Sequence, residues 1–143
     1  MTQKKLADPY QQSKGFERVR EAHQMETAED YVELINDLIE VKHEARVTDL
    51  SQRLGVSHAT VNKVIGRLKK EGLVTSEPYR SIFLTSEGKK LAEFCKQRHE
   101  IVVNFLVALG VSEDIAELDA EGVEHHISVE TLSAFETFVK NHA

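Results

Sequence analysis

The sequence contains a single cysteine, Cys95, and no apolar run approaching the roughly 18 residues that a membrane-spanning helix needs. One thiol excludes an intrachain disulfide and a multi-cysteine zinc cluster, so we expect the protein to work in a reducing cytoplasm. The N-terminus shows no basic segment followed by an apolar one. We therefore expect neither a signal peptide nor a membrane as partner.

Charge is unevenly distributed along the 143 residues, whose formal net charge is -6. Residues 42–72 carry seven Lys or Arg against three Asp or Glu, which is a net charge of +4. Residues 111–143 carry one Lys against eight Asp or Glu, which is a net charge of -7. A basic segment suits a polyanion and an acidic segment suits cations. The pattern indicates two functional regions that follow each other along the chain, a basic one and an acidic one.

The N-terminal part contains two amphipathic segments. The first 12 residues are polar and have a break signal at Asp8-Pro9, so we expect them to be loosely structured. Phe16, Val19 and His23 have the spacing of a short helix, and from Thr27 the apolar residues follow the i, i+3, i+4 pattern of a helix with one buried face. The pattern leaves open whether the two segments form one helix.

The most specific local pattern lies between Val47 and Leu84. Residues 47–54 predict a short helix, residues 55–57 a tight turn, and residues 57–71 a second helix with Ser57 as its N-cap and Gly72 as its stop. Two apolar segments at 73–75 and 82–84 flank a turn and predict a hairpin. Helix, turn, helix and hairpin in this order predict a winged helix-turn-helix.

This motif predicts binding to double-stranded DNA, because a major groove about 12 Å wide admits an α-helix while basic side chains neutralise phosphates. The residues expected at the bases are His58, Ala59, Asn62 and Lys63, with Ser57 beside them at the helix start. The residues expected at the phosphates are Arg53, Arg67 and Arg80. Gly66 on the outer face would allow a close approach of the DNA backbone. The alternative is a structural or protein-binding module.

The remaining sequence predicts three more helices, the first running from Thr85 or Ser86 to about Leu109. Ser112 and Ser128 are expected N-caps of the other two. The first of these helices has a long apolar side, which either a partner subunit or the chain's own core could cover. Its members are Leu91, Phe94, Cys95, Arg98, Ile101, Val102, Phe105 and Leu109.

Three groups of residues could bind a metal ion. They are Asp30 with Glu33, Glu121 with Glu124 and His125, and the single residue His99. Each group of two or three has the spacing of one helical face. The plain alternatives are solvated carboxylates and a hydrogen-bonded, partly buried histidine. His126 falls on the apolar side with Ile115 and Leu118, so we expect it to pack rather than to ligate.

Over residues 27–143 the sequence resembles the diphtheria toxin repressor family, and most closely its manganese transport regulator branch. The segments that carry the resemblance are Asp30-Tyr31-Val32-Glu33, Leu54 through Lys63, Tyr79-Arg80 with Leu84-Thr85-Ser86, Arg98-His99-Glu100 and Glu121-Gly122-Val123-Glu124-His125-His126. The resemblance implies a homodimer, mainly α-helical with a small β wing. It implies a winged helix-turn-helix domain at 27–85 and a helical metal-binding and dimerisation domain at 86–143, after an N-terminal extension at 1–26.

The resemblance also implies a manganese site, often holding two ions per subunit. Its ligands would be Asp30, Glu33, His99, Glu121, Glu124 and His125. The iron-sensing branch is less similar, because it typically has Met where Asp30 stands and Cys where Glu121 stands. Four carboxylates and two imidazoles make a predominantly hard set suited to Mn(II). The carboxylates repel one another until a cation compensates them, so the metal would tie the first helix to the dimerisation helices.

We therefore predict a manganese-activated repressor of metal-homeostasis genes that binds operator DNA as a homodimer and is not an enzyme. Two other classes remain open. One is a winged-helix regulator that senses Fe(II), another divalent metal or an organic ligand. The other is a metallohydrolase built on the Glu/His cluster, although the sequence shows no motif that would orient a nucleophile. Metal-dependent operator binding discriminates between these classes.

Overall fold

The computed structural model describes residues 5–142, which form six α-helices, one 3-10 turn and a two-stranded antiparallel sheet. The elements in chain order are α1 (Pro9–Lys42), α2 (Val47–Leu54), α3 (His58–Lys70), β1 (Val74–Thr75), β2 (Phe83–Leu84), α4 (Ser86–Ala108), α5 (Glu113–Val123), the 3-10 turn (Glu124–His126) and α6 (Val129–Asn141). None of the helices in this range is long and apolar enough to cross a membrane. The predicted class, mainly α with a small β wing, is confirmed.

The first helix is continuous over 34 residues, so the two N-terminal segments form a single element. The Asp8 carboxylate accepts a hydrogen bond from the Gln11 amide, and Pro9 occupies the first turn. The prediction of a loose segment was therefore wrong for residues 9–12. Proline has a fixed φ and lacks an amide hydrogen, which suits it to begin a helix, so Asp8-Pro9 is a start signal here. Residues 1–4 of that prediction lie outside the described residues.

The helix-turn-helix and its hairpin follow the predicted boundaries closely. The Ser57 hydroxyl accepts a hydrogen bond from the Thr60 amide at 3.1 Å and caps α3. Gly72 ends this helix with a φ of 77°, a left-handed conformation that glycine adopts without strain. Each strand has two residues, with Val74 opposite Leu84 in the register. The wing is therefore short and joined to α3 by a tight cap.

The reader, defined here as α2, α3 and the two strands, shares one hydrophobic core with the C-terminal half of α1. Its buried members include Val32 and Ile35 of α1 with Leu50, Val61 and Leu68 of the reader. Gly88 brings α4 against the wing, because a Cβ at this position would collide with the carbonyl oxygen of Leu73. α1 and α3 are therefore packed against each other through shared core side chains.

A second core joins α4, α5 and α6, and it contains Val102, Val103, Ala116, Ala120 and Leu132. The apolar side of α4 is divided between two environments. Cys95, Arg98 and Val102 are buried within the chain, whereas Phe94 and Leu109 remain exposed. The chain's own core thus covers part of that side and leaves the rest accessible.

Candidate metal centre and nucleic-acid interface

The candidate ligands converge where α1, α4, α5 and the 3-10 turn meet. The α-helical part of α5 ends at Val123, so Glu124 and His125 belong to a tighter turn than the continuous helix that the sequence predicted. Both side chains are almost fully buried, with Glu124 close to His99 of α4 and His125 close to α1. The turn therefore directs two neighbouring residues toward two different helices.

The imidazole of His125 is the centre of the first group of candidate ligands. Its Nε2 lies 3.1 Å from Oδ1 of Asp30 and 3.6 Å from Oε1 of Glu124. Within residues 5–142, His125 Nε2 and Glu124 Oε1 are buried atoms without a hydrogen-bond partner. Buried polar atoms are ordinarily satisfied. These two atoms lie 3.6 Å apart, and Nε2 also faces the Asp30 carboxylate, so the arrangement fits a divalent cation bound once Nε2 has lost its proton.

A buried ion pair lies on the Nδ1 side of the His125 imidazole, opposite the Nε2 atom. The Glu29 carboxylate is 2.9 Å from Nη1 of Arg98 and 3.3 Å from Nδ1 of His125. A protonated Nδ1 that donates to Glu29 leaves Nε2 free to ligate, which is how carboxylates usually orient metal-binding histidines. Glu29 was not among the functional residues predicted from the sequence. Its signal was a carboxylate three residues before the buried Val32, which is a core position of α1.

The imidazole of His99 is the centre of the second group. Its Nδ1 lies 2.6 Å from Oε2 of Glu124 and 3.7 Å from Oε1 of Glu121. Its Nε2 lies 2.7 Å from Oε2 of Glu117, an exposed residue of α5 that the sequence analysis did not single out. Glu124 thus presents one carboxylate oxygen to each group. Five of the six candidate ligands belong to these two groups.

The sixth candidate, Glu33, belongs to neither group among the described residues. It lines an adjacent cavity of about 370 Å³ together with His99, Glu117 and Glu121. Burial, together with the charges of Glu124 and Glu121, raises the pKa of Glu33 to about 7. A nearby cation would stabilise the charged form of Glu33, because it would offset the repulsion from the neighbouring carboxylates.

The centre is a cluster of carboxylates whose negative charge is partly neutralised by bound protons. Burial opposes the charge on His125, but the carboxylates of Asp30 and Glu29 outweigh it and raise the pKa of His125 to about 10. Burial also raises the pKa of Glu124, despite the contact with His99. The residues therefore fit a hard divalent cation, with oxygen donors in the majority and imidazoles at two corners.

The reader presents an exposed polar helix face next to the wing. Every predicted DNA-contact residue on α3 is exposed, as are its N-cap Ser57 and the arginines Arg53 and Arg80. On a helix with 3.6 residues per turn, Ala59, Lys63 and Gly66 lie opposite the buried Val61, Ile65 and Leu68. A side chain at Gly66 would meet open space. Internal packing therefore does not require a glycine at this position. The missing side chain leaves room for another molecule to approach the helix backbone.

A groove of about 630 Å³ separates α3 from the wing. His58, Asn62 and Lys69 line one wall, and Arg46 and Arg80 line the other. The Lys69 ammonium donates to the Ser76 carbonyl, and Arg46 Nη1 donates to the Tyr79 carbonyl. These two basic residues were not among the predicted contacts. Because they bind the wing backbone, they hold the hairpin against α2 and α3 and add positive charge to the groove.

His126 faces α1, where its ring meets that of His23 edge to face at 4.8 Å between centroids. Its Nε2 lies 3.7 Å from Oε2 of Glu26. The sequence placed His126 with Ile115 and Leu118, but both of those side chains are exposed on α5. The tighter 3-10 turn changes the direction of the side chain, so His126 packs against two polar residues of the first helix.

Comparison with known proteins identifies similar sequences over almost the whole chain. The family described as "Iron dependent repressor, N-terminal DNA binding domain" matches residues 23–82, and "Iron dependent repressor, metal binding and dimerisation domain" matches residues 85–143. The transcriptional regulator MntR of Escherichia coli O157:H7 is 53% identical over 137 residues, which cover 96% of this chain and 88% of that protein. The MntR of Salmonella typhimurium is 55% identical over 128 residues, which cover 90% of this chain and 82% of that protein.

Solved structures with this fold include one described as "Manganese-dependent transcriptional repressor complex with manganese". It has a TM-score of 0.72 and 29% sequence identity, with coverage of 79% of this chain and 52% of that one. The present chain thus spans about half the length of that structure, whereas it spans most of the length of the enterobacterial relatives.

Proposed function

Because the chain belongs to the iron dependent repressor family and is a metal-responsive transcriptional repressor rather than an enzyme, we propose that manganese is the metal that activates it. The observation that carries this proposal is the pair of buried, unpartnered atoms, His125 Nε2 and Glu124 Oε1, beside the Asp30 carboxylate. These atoms form the centre of a hard, oxygen-rich ligand set. The residues proposed to hold the metal are Asp30, Glu33, His99, Glu121, Glu124 and His125.

The ligand set divides into two groups, and we assign one ion to each. The first group is Asp30, with Glu26 beside it, and His125. The second is His99, Glu121 and Glu124, with Glu33 at the edge of the same cavity. Glu124 supports this division, because its two oxygens face different imidazoles. A divalent cation, when bound, supplies the positive charge that compensates the carboxylates.

The chain's own residues then connect the centre to the reader. Asp30 and Glu33 lie on α1, and in the same stretch of this helix Val32 and Ile35 pack into the core of the reader. His99, Glu121, Glu124 and His125 lie on the elements of the second core or on the turn attached to it. Joining the two sets of ligands fixes the position of α3 relative to α4 and α5. We propose this restraint as the activating step.

The proposed partners are double-stranded operator DNA and a second copy of the chain, in the cytoplasm, where the chromosome is. The second half exposes Leu109, Ile115, Leu118, Val123 and Val129 on the helices of the dimerisation domain. Clusters of exposed apolar side chains are typical of interfaces between proteins. A homodimer would cover them and would present two recognition helices to a two-fold symmetric site.

The test is an operator titration of the metal-free protein with Mn(II), Fe(II), Zn(II) and Co(II), each compared with a sample that contains a chelator. We expect Mn(II) to increase operator affinity and the chelator to reverse the effect. If Fe(II) increases operator affinity and Mn(II) does not, the protein senses iron rather than manganese. Operator binding that is equal with and without every metal would overturn activation by metal.

A further inference from the structure

The first helix carries a row of candidate ligands longer than the proposed manganese set. His23, Glu26, Asp30 and Glu33 are separated by three, four and three residues, so they share one face of α1. Asp30 and Glu33 belong to the manganese set described above. Glu26 lies about one turn and His23 about two turns nearer the N-terminus than Asp30, and both face His126 of the 3-10 turn.

We propose that His23, Glu26 and His126 form a separate site for a later transition-metal ion, of which zinc is the type. The ligand atoms of the three side chains lie within 4.8 Å of one another. His23 Nδ1 is 3.2 Å from Oε2 of Glu26, and His126 Nε2 is 3.7 Å from the same oxygen. In a tetrahedral zinc site with bonds of about 2.0–2.1 Å, neighbouring ligand atoms are about 3.3–3.5 Å apart. Small side-chain movements therefore complete the site.

The chemistry of this site differs from that of the manganese set. Two imidazoles and one carboxylate are a ligand combination of zinc sites that keep a fourth position for water. Imidazole also favours zinc and its neighbours in the transition series over manganese. The manganese set, in contrast, contains four carboxylates among six ligands. Two chemically distinct sites thus lie side by side on one helix.

The accessibility of the three residues suits a site that exchanges with solution. The side chain of His23 is 64% exposed, and those of Glu26 and His126 are 27% and 31% exposed. Glu26 is also close to Asp30 and His125, so it stands between the two sites. An ion held by His126 restrains the same turn that carries Glu124 and His125. The outer site therefore fastens the N-terminal part of α1 to the manganese centre.

The test is equilibrium dialysis of the full chain against Zn(II), with the bound metal counted by elemental analysis. We expect His23→Gln and His126→Gln each to weaken the binding of one zinc ion by at least about tenfold. The matched control is His142→Gln, which removes a histidine from the end of α6 and should bind zinc as the wild type does. Equal zinc binding by wild type, His23→Gln and His126→Gln would overturn the site.

A second measurement addresses structure. Amide hydrogen exchange in residues 9–26 should slow on addition of Zn(II) to the wild type and stay unchanged in His23→Gln. His23 is exposed on a helix, so this variant keeps its fold even if His126→Gln does not. Slowing of the same size in His23→Gln and wild type would contradict the proposal. Neither measurement uses DNA or manganese, so its failure is distinguishable from a failure of manganese activation.

Discussion

The carboxylate of Glu29 and the guanidinium of Arg98 form an ion pair at 2.9 Å in which both side chains are almost completely buried. Contacts with His125 and Arg98 outweigh the effect of burial and lower the pKa of Glu29, so it remains charged. The pair joins α1 to α4 at the level of the metal centre. It therefore holds the His125 imidazole in place before any metal arrives.

Replacing Glu29 with Gln should lower the free energy of unfolding by about 3–5 kcal/mol, because Arg98 would remain buried without its counter-charge. Urea denaturation of the metal-free protein measures the loss. Glu40→Gln, which changes an exposed carboxylate on the same helix, should stay within about 0.5 kcal/mol of wild type. Equal stability of the two variants would mean that the pair contributes nothing to the fold.

His125→Ala should weaken the apparent affinity for Mn(II) by at least about tenfold and remove metal-stimulated operator binding. The reason is that in the proposed ligand set its imidazole lies between Asp30 and Glu124. Sedimentation should still find a dimer, because His125 lies outside the exposed apolar set. Operator titrations with Mn(II) check the first claim, with His142→Ala as the control. A wild-type response of His125→Ala would show that the sensing site lies elsewhere.

Glu121→Cys should shift the response from Mn(II) toward Fe(II) or Zn(II), since a thiolate prefers these metals. Glu121 is largely exposed and 3.7 Å from His99, so the change should leave the fold intact. Glu121→Asp keeps the hard donor and should retain the preference for Mn(II). The measurement is the metal concentration that gives half-maximal operator binding. An unchanged metal order in the cysteine variant would remove Glu121 from the ligand set.

Metal binding should release protons at pH 7. The pKa of His125 is raised to about 10, so its imidazole is protonated in the metal-free protein, and Glu33 is near its midpoint at about 7. Both groups must lose protons to ligate. Apparent affinity should therefore rise between pH 6 and pH 8, by about tenfold per pH unit for each proton released.

Calorimetry in two buffers of different ionisation enthalpy counts the released protons. We expect about one to two per chain for the wild type and fewer for His125→Ala, which has no imidazole to deprotonate. A wild-type count near zero would mean that His125 and Glu33 do not exchange protons for metal.

Lys63→Ala should weaken binding to the operator by about 1–3 kcal/mol and reduce discrimination between sequences, if the side chain reaches a base. Arg67→Ala should instead weaken binding to all sequences and lower the salt dependence by about one counterion. Lys140→Ala on α6 is the control for a lost positive charge. Titrations of operator and unrelated DNA at several salt concentrations separate these effects. Salt-independent binding would contradict a phosphate-contacting reader.

Local signals predicted the reader well. The hydroxyls of Ser57, Thr85 and Ser128 each cap a helix by accepting a hydrogen bond from the amide three residues later, so the residue type marks these boundaries. The metal ligands could be proposed because charged and imidazole side chains at helical spacing share a face. The resemblance to a known family then combined the three separate groups into one set.

Other features depend on contacts between distant residues and could not be predicted. Residues 9–26 lack a continuous buried face, so no periodicity showed that they extend α1. The 3-10 turn forms where Glu124 and His125 are buried against different helices. The sequence pattern contains no signal for that geometry. Glu29 resembled one more surface carboxylate until Arg98, 69 positions later, came beside it.

The continuity of α1 makes the helix a lever. At 1.5 Å of rise per residue, Lys42 lies about 18 Å along the axis from Asp30. Each degree of tilt about Asp30 therefore moves the far end by about 0.3 Å, and a ten-degree tilt moves it by about 3 Å. That displacement is close to the ~3.4 Å rise between successive nucleotides of a DNA strand. We expect a tilt of that size to shift the reader by about one nucleotide step along the DNA.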